Sequence, residues 1–257
     1  MRTIKDIEKI LAEFAPLELQ MSFDNSGFCI GDESAEVTGI MLAEDVTPSV
    51  VEEASLKGCN LIISHHPVIF CGIKTLCSAK DRMRYAVVSE MIKRGMAQIA
   101  MHTNVDICEG GTNDTVAKAL GVKVSAGEGE AMRIGSLDKP ITLGNFAAKV
   151  ANVLGDETVR YVGDPEKEIR TVAVSTGAGG RESELIYRLQ DEGVDVLVTA
   201  EVKHNVALEA RYAGVAIVET THYSSERCIV DIIGGVLDKY NIDYHKSESE
   251  GNPYRRA

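Results

Sequence analysis

The chain has 257 residues, 44% hydrophobic and 26% charged, with a mean hydropathy of −0.04, which places it among globular chains with room for one or two cores. Its 27 Lys and Arg against 39 Asp and Glu leave a formal net charge of −12, the wrong sign for a protein whose main task is gripping nucleic acid. No run approaches the ~18 apolar residues of a membrane span, and Asp6, Glu8 and Glu13 in an amphipathic N-terminal pattern lead us to expect neither a signal peptide nor a transit peptide.

Thr3 and Asp6 have capping-box spacing, and Ile4, Ile7, Leu11 and Phe14 then share one helical face until Pro16, so the chain is predicted to open with a helix. Strand-like and helical runs alternate after it. We read strands over 39–43, 59–64 and 96–101, with helices over 48–57, 82–94 and 113–120, the last ended by Gly121. This is the rhythm of βαβ units around a buried parallel sheet. Residues 122–130 lose the periodicity and gain Gly and Ser, which suggests a lobe boundary. The first lobe would comprise residues 1–125, completed by the C-terminal segment 225–257, and the second 126–224. In the second lobe the pattern predicts a helical stripe within ITLGNFAAKVANVLG, strands over 171–176, 194–199 and 215–220, and helices over 182–192 and 204–212. A last helix is predicted over 224–240, with Ser224 or Ser225 as its N-cap, and the tail from Ser247 is expected to fray. The predicted class is α/β, two lobes with mostly parallel central sheets.

Six cysteines (Cys29, Cys59, Cys71, Cys77, Cys108 and Cys228) occur without any C-x-x-C pair. They read as small hydrophobes in or near the core of a cytoplasmic protein. The histidines are more informative. His65 and His66 follow Leu61-Ile62-Ile63 at the carboxyl end of a predicted central strand, where open α/β sheets place their ligand crevice. His102 and Asp106 follow the strand over 96–101, and His222 and Glu226 sit four residues apart at a strand-to-helix junction. Each cluster alone has a plain structural alternative: surface histidines before a proline turn, an Asp capping a turn, a Glu favouring a helix dipole. In combination, His65, His66, Asp106, His222 and Glu226 offer five ligands, with His102 in reserve. That exceeds the three a catalytic zinc takes and points to two divalent ions sharing a carboxylate, in a cleft between the lobes. Imidazole and carboxylate donors suit zinc, iron, manganese or nickel. The turn Gly177–Gly180 opens a helix and offers backbone N–H groups to a phosphate, or is simply a tight turn. Glu201, Lys203 and His204 occupy another strand-end loop that could line the same cleft, with His204 equally readable as a surface residue at a helix start.

The motifs FDNSGFCIGD, ISHHPVIF, HTNVDICEGGTNDTVA, VAVSTGAGG, VTAEVKHNVALEA and THYSSE span nearly the whole chain in order. Together they resemble the Nif-three-like family, also called YbgI-like and known under the name GTP cyclohydrolase 1 type 2, a group of dinuclear-metal proteins. The resemblance implies metal ligation by His65, His66, Asp106, His222 and Glu226, with Glu226 touching both ions and His102 a near-site residue, which histidine's pKa range would suit to shuttling a proton. It implies a hydrolase acting on a nucleotide or related phosphorylated ring compound, with opening of the guanine ring of GTP at C8 as the named activity, and a toroidal homohexamer. The alternative is a metal-binding regulatory or metal-delivery protein in which the ring is the working object. The chain departs from the family's usual aromatic, commonly Trp, before Asp24-Asn25, where it has Phe23. That change is expected to alter only a pocket wall.

Overall fold

The computed structural model describes residues 2–127 and 129–256. Its contacts form two compact units, one running to Cys108 and resuming over Ile229–Gly251, the other comprising Glu109–Cys228 and the residues from Asn252 on.

In the first unit α1 (Ile4–Phe14) begins with the expected capping box: Thr3 Oγ1 accepts from Asp6 N, and Asp6 Oδ2 accepts from Thr3 N at 2.9 Å. Then follow β1 (Gly27–Ile30), β2 (Ile40–Ala43), α2 (Pro48–Leu56), β3 (Leu61–Ser64), α3 (Arg82–Lys93), β4 (Ala97–Ala100) and α4 (Thr103–Ile107). The sheet order is β1-β4-β3-β2, with one more edge strand beyond β2 contributed from the C-terminal part of the chain. Strands β2, β3 and β4 are parallel and β1 is antiparallel on its edge. The three central strands are buried along their whole length because helices cover both faces. Ile40, Leu42, Leu61 and Ile63 meet α1, whereas Met41 and Ile62 meet α2 and α3, the alternation that a period of two requires.

The second unit holds α5 (Thr112–Ala119), β5 (Lys123–Ala126), β6 (Arg133–Thr142), α6 (Leu143–Leu154), β7 (Arg160–Val162), β8 (Glu168–Val174), α7 (Ser183–Asp191), β9 (Val196–Thr199), α8 (His204–Ala213), β10 (Ala216–Glu219) and α9 (His222–Glu226). Its sheet, β5-β6-β8-β9-β10-β7, has a parallel centre of β8, β9 and β10 with antiparallel flanks. Helices α5 and α6 cover one face and α7 and α8 the other. The chain then returns to the first unit as α10 (Ile229–Asp238) and β11 (His245–Lys246), the edge strand parallel to β2. The expected α/β class with parallel central strands is what the structure has. Among the described residues no helix is long and apolar enough to cross a membrane.

Four local expectations are corrected. The segment 122–130 contains a strand, β5, that pairs with β6 despite its exposed side chains. The compact units part at Cys108/Glu109 and not near residue 125, since Val116, Ala117 and Leu120 of the α5 region pack into the second unit's core. The helix expected over 224–240 is broken between Glu226 and Ile229, and its N-cap is Thr221, whose hydroxyl accepts from Ser224 N at 3.2 Å. The apolar stripe Ile229, Ile233, Val236 and Leu237 belongs to the first unit's core, whereas Ser225 and Glu226 are buried in polar contacts of the second. The tail from Ser247 is held rather than frayed: Glu53 accepts from Ser247 Oγ and from the backbone N–H groups of Glu248 and Ser249. Of the cysteines, Cys59 and Cys108 are buried as expected and Cys71 is exposed.

Candidate metal-binding site

Register places the side chains of interest. Ala43 pairs with Ser64 and Ser64 with Ala100, so the carboxyl ends of β2, β3 and β4 are level. Glu44-Asp45, His65-His66 and Met101-His102 therefore leave the sheet at one edge, the crevice position of an open parallel sheet. In the second unit Val174 pairs with Val198 and Thr199 with Glu219, so Ser175–Gly177, Ala200-Glu201 and Thr220–His222 share an edge in the same way.

At the first edge His65, His66 and His102 converge, with one ring nitrogen from each within 4.8 Å of the others and ring centroids 4.8 to 5.4 Å apart. His65 is fully buried, and Asp106 Oδ1 lies 3.8 Å from its Nε2. Each ring is oriented through Nδ1 by an oxygen acceptor: His65 by Met101 O at 2.7 Å, His66 by Asp45 Oδ1 at 2.9 Å and His102 by Asp24 Oδ1 at 2.6 Å. An acceptor on Nδ1 keeps the proton there and turns the lone pair of a neutral ring to Nε2, the usual arrangement behind metal-ligating histidines. Glu44 and Asp45 add oxygen donors, one atom of each lying within 4.8 Å of a His66 ring nitrogen.

At the second edge His222 Nε2 lies 2.9 Å from Glu226 Oε2, and His222 Nδ1 is held by Glu201 Oε1 at 2.7 Å. One helical turn separates the two ligand candidates on α9. Asp156 fixes the turn that launches this helix, accepting from Thr220 Oγ1 at 2.6 Å, Thr221 N at 2.7 Å and Thr221 Oγ1 at 2.9 Å. The glycine turn backs onto the same helix. Gly177 has φ +63 and donates to Ser225 Oγ at 3.0 Å, and a Cβ there would overlap the Glu226 carboxylate and lie 3.2 Å from His222 Nε2. Close packing against the ligand helix thus accounts for Gly177, and Gly179 is pressed in the same way against Ser175 and Thr199.

Electrostatics keep Asp24, Glu201 and Asp156 charged. Burial opposes ionisation of Asp24, but hydrogen bonds from His102, Thr103 and Ser26 outweigh it and hold its carboxyl below the usual carboxylate range. Burial likewise opposes the charge of Glu201, and His222 and Arg181 overcome it. For Asp156 the penalty of burial is outweighed by Thr158, Thr220 and Thr221.

Of the sequence candidates, the structure brings His65, His66, His102 and Asp106 together in the first unit and His222 with Glu226 in the second. Lys203 and His204 are exposed, and Lys203 pairs with Glu182 at 3.4 Å. Sequence reasoning missed Glu44, Asp45 and Asp156, and it did not assign orienting roles to Asp24 or Glu201. The strand-end rule applied to β2 would have found Glu44 and Asp45; Asp156 follows a helix and carries no such signal.

Residues 2–253 match the model of the family Duf34/NIF3 (NGG1p interacting factor 3). A protein named GTP cyclohydrolase 1 type 2 homolog from Clostridium acetobutylicum is 29% identical over 267 residues, covering 98% of each chain. One of the same name from Clostridium perfringens is 30% identical over 234 residues, covering 87% of this chain and 86% of the relative. The crystal structure of Staphylococcus aureus protein SA1388 superposes with a TM-score of 0.88 at 28% identity, over all of this chain and 99% of that one.

Proposed function

The chain belongs to the Duf34/NIF3 family, and from that premise and its two ligand clusters we propose a dinuclear metal-dependent hydrolase acting on a nucleotide or a related phosphorylated ring compound. The observation that carries the reading is that all four candidate imidazoles, His65, His66, His102 and His222, have Nδ1 committed to an oxygen acceptor. A protein that merely buried histidines would have no need to aim every Nε2. The residues fit the group: imidazole nitrogens with hard carboxylate oxygens are the donor set of zinc, iron, manganese or nickel. We assign His65, His66, Asp106, His222 and Glu226 as ligands, and Glu226, whose carboxylate has two oxygens where an imidazole offers one nitrogen, would be the shared one. Two divalent ions bound there would supply Lewis acidity and a water that ionises near neutral pH.

The remaining side chains act on position and protons. Asp45 and Glu201 keep His66 and His222 in one tautomer, and the buried Met101 carbonyl does the same for His65. His102, held by Asp24, is assigned the proton transfer at its Nε2. Phe70 stands edge-on to His102 at 5.7 Å and Phe23 edge-on to Phe70 at 6.2 Å, which gives a ring-shaped substrate an apolar wall. Opening of the guanine ring of GTP at C8 is the specific reaction supported by the relatives' names. The reading carries with it a ring-shaped homohexamer in the cytoplasm, which sedimentation and fractionation would test.

The deciding experiment is metal analysis of protein purified without added metal, followed by a screen of nucleotides and phosphate esters with each candidate ion. About two ions per chain and metal-dependent turnover are expected, with Asp106→Ala losing metal while staying folded. Glu226→Gln should fall below one ion per chain while His66→Ala keeps about one. Two ions without turnover on any substrate would favour a regulatory or metal-delivery role, and full metal occupancy in Asp106→Ala would defeat the ligand assignment.

A further inference from the structure

A cavity of about 310 Å³ opens in the second unit on the Glu201 side of His222, and its lining includes Arg160, Glu219, Tyr254 and Arg255. Its lining sets two arginines, Arg160 and Arg255, against two glutamates, Glu201 and Glu219, and both glutamates are already engaged. Glu219 is taken up by Arg160, through Nε at 2.6 Å and Nη2 at 3.1 Å, and by Val202 N at 3.1 Å. Glu201 is taken up by His222 and Arg181. Arg255 has no carboxylate partner among the described residues: its Nη1 donates to the carbonyls of Asn252 and Tyr254 at 2.5 and 3.0 Å. Two guanidinium groups with donors to spare, Nη1 of Arg160 and the Nε and Nη2 of Arg255, thus line one cavity.

This wall is held in place. Asn252 Nδ2 donates to Thr221 Oγ1 at 2.9 Å and to Ser224 Oγ at 3.3 Å, while its Oδ1 accepts from Tyr254 N at 3.0 Å. The tail is therefore pinned to the N-terminus of the helix that carries His222 and Glu226. Beside the guanidinium Tyr254 is 64% exposed and offers a flat apolar ring surface.

We propose that this cavity binds the phosphate of a small phosphorylated ring compound, with the phosphoryl oxygens on Arg255 and Arg160 and the ring against Tyr254. Guanidinium forks match phosphate oxygens in geometry as well as charge, and the volume is at the small end of ligand pockets, suited to a compact phosphate ester. His222 forms part of the wall, so a ligand anchored here sits beside a candidate metal ligand. The assignment rests on the hydrolase reading for the purpose of the site, but the binding itself needs no metal.

The test is isothermal titration of the full chain with guanosine monophosphate, guanosine and inorganic phosphate, once with metal removed and once loaded. Guanosine monophosphate should bind the metal-free protein and guanosine should not. Arg255→Ala should weaken binding at least about tenfold, the share of one charge-assisted bidentate contact, with metal content unchanged. Tyr254→Leu should weaken guanosine monophosphate but not inorganic phosphate, and Arg188→Ala, a paired surface arginine of the same unit, should change nothing. Binding that appears only with metal present, equal binding of guanosine, or an unchanged affinity in Arg255→Ala would each overturn the proposal. Phosphate binding that persists in a protein found to hold no metal would leave this site standing and remove the hydrolase reading.

Discussion

Replacing Gly177 by alanine separates a backbone cost from a cost at the ligand helix. At φ +63 any residue with a Cβ pays about 1–2 kcal/mol for the left-handed conformation, or about 2–8 °C in Tm for a chain of this size. Gly193, at φ +70, supplies the control, because a Cβ there meets nothing within 4 Å. Gly193→Ala should therefore show that backbone cost alone. Gly177→Ala must in addition displace the carboxylate of Glu226, which is only 3% exposed and has little room to move, and crowd His222 Nε2. Shifts of this kind behind a metal site typically cost 10- to 100-fold in affinity. The assay is thermal unfolding of both variants with and without chelator, together with titration of cobalt(II) followed by its visible absorption. A Gly177→Ala protein that matched Gly193→Ala in Tm and bound cobalt like the parent would refute the reasoning.

Three further outcomes follow from particular contacts. Burial opposes the charge of Glu53, but hydrogen bonds from Lys57, Ser247, Ser249 and Glu248 bring its carboxyl down from 4.5 to about 2. A depressed acid of this kind stabilises the fold fully above the unfolded value and loses that contribution as pH falls towards about 2. Up to about 3 kcal/mol is at stake, so the parent's stability should drop between pH 5 and 2 more steeply than that of Glu53→Gln in urea titrations. Arg133, 2% exposed, binds Asp114 and donates to the carbonyls of Gly127, Glu130 and Met132. Arg133→Ala should cost about 3–5 kcal/mol by chemical denaturation, and a loss below 1 kcal/mol would show that the buried pair is not needed. Glu250 accepts from Glu44 N at 2.8 Å and Asp45 N at 3.2 Å, and Asp45 in turn orients His66. Glu250→Ala should alter the cobalt(II) spectrum and Glu250→Gln, which keeps an acceptor, should restore it; identical spectra in all three proteins would place the tail outside the metal site's support.

Chain-local order was legible from the residues alone. Capping at Thr3, the short, mostly apolar runs of β2, β3 and β4 and the helical stripes of α1 and α6 are set by spacing within a dozen residues, where steric and hydrophobic periodicity leave little choice. The strand-end rule then sufficed to single out His65, His66, His102, Asp106, His222 and Glu226, because in an open parallel sheet every strand delivers its next residues to one edge.

Tertiary structure alone decided what holds those side chains. Asp24 is 78 residues from His102, Glu201 is 21 from His222, and Asp156 is 65 from Thr221. No periodicity links such partners, since their contact depends on strand register and on loops whose paths are set by packing. The same holds for the break between Glu226 and Ile229: the sequence pattern continues through it as one helix, yet the two segments answer to different surroundings. Glu226 is buried beside Gly177 and His222, while Ile229 enters the apolar core of the first unit. A helix can present its ligands and its core stripe in directions its own 100° rotation does not allow only by stopping and starting again.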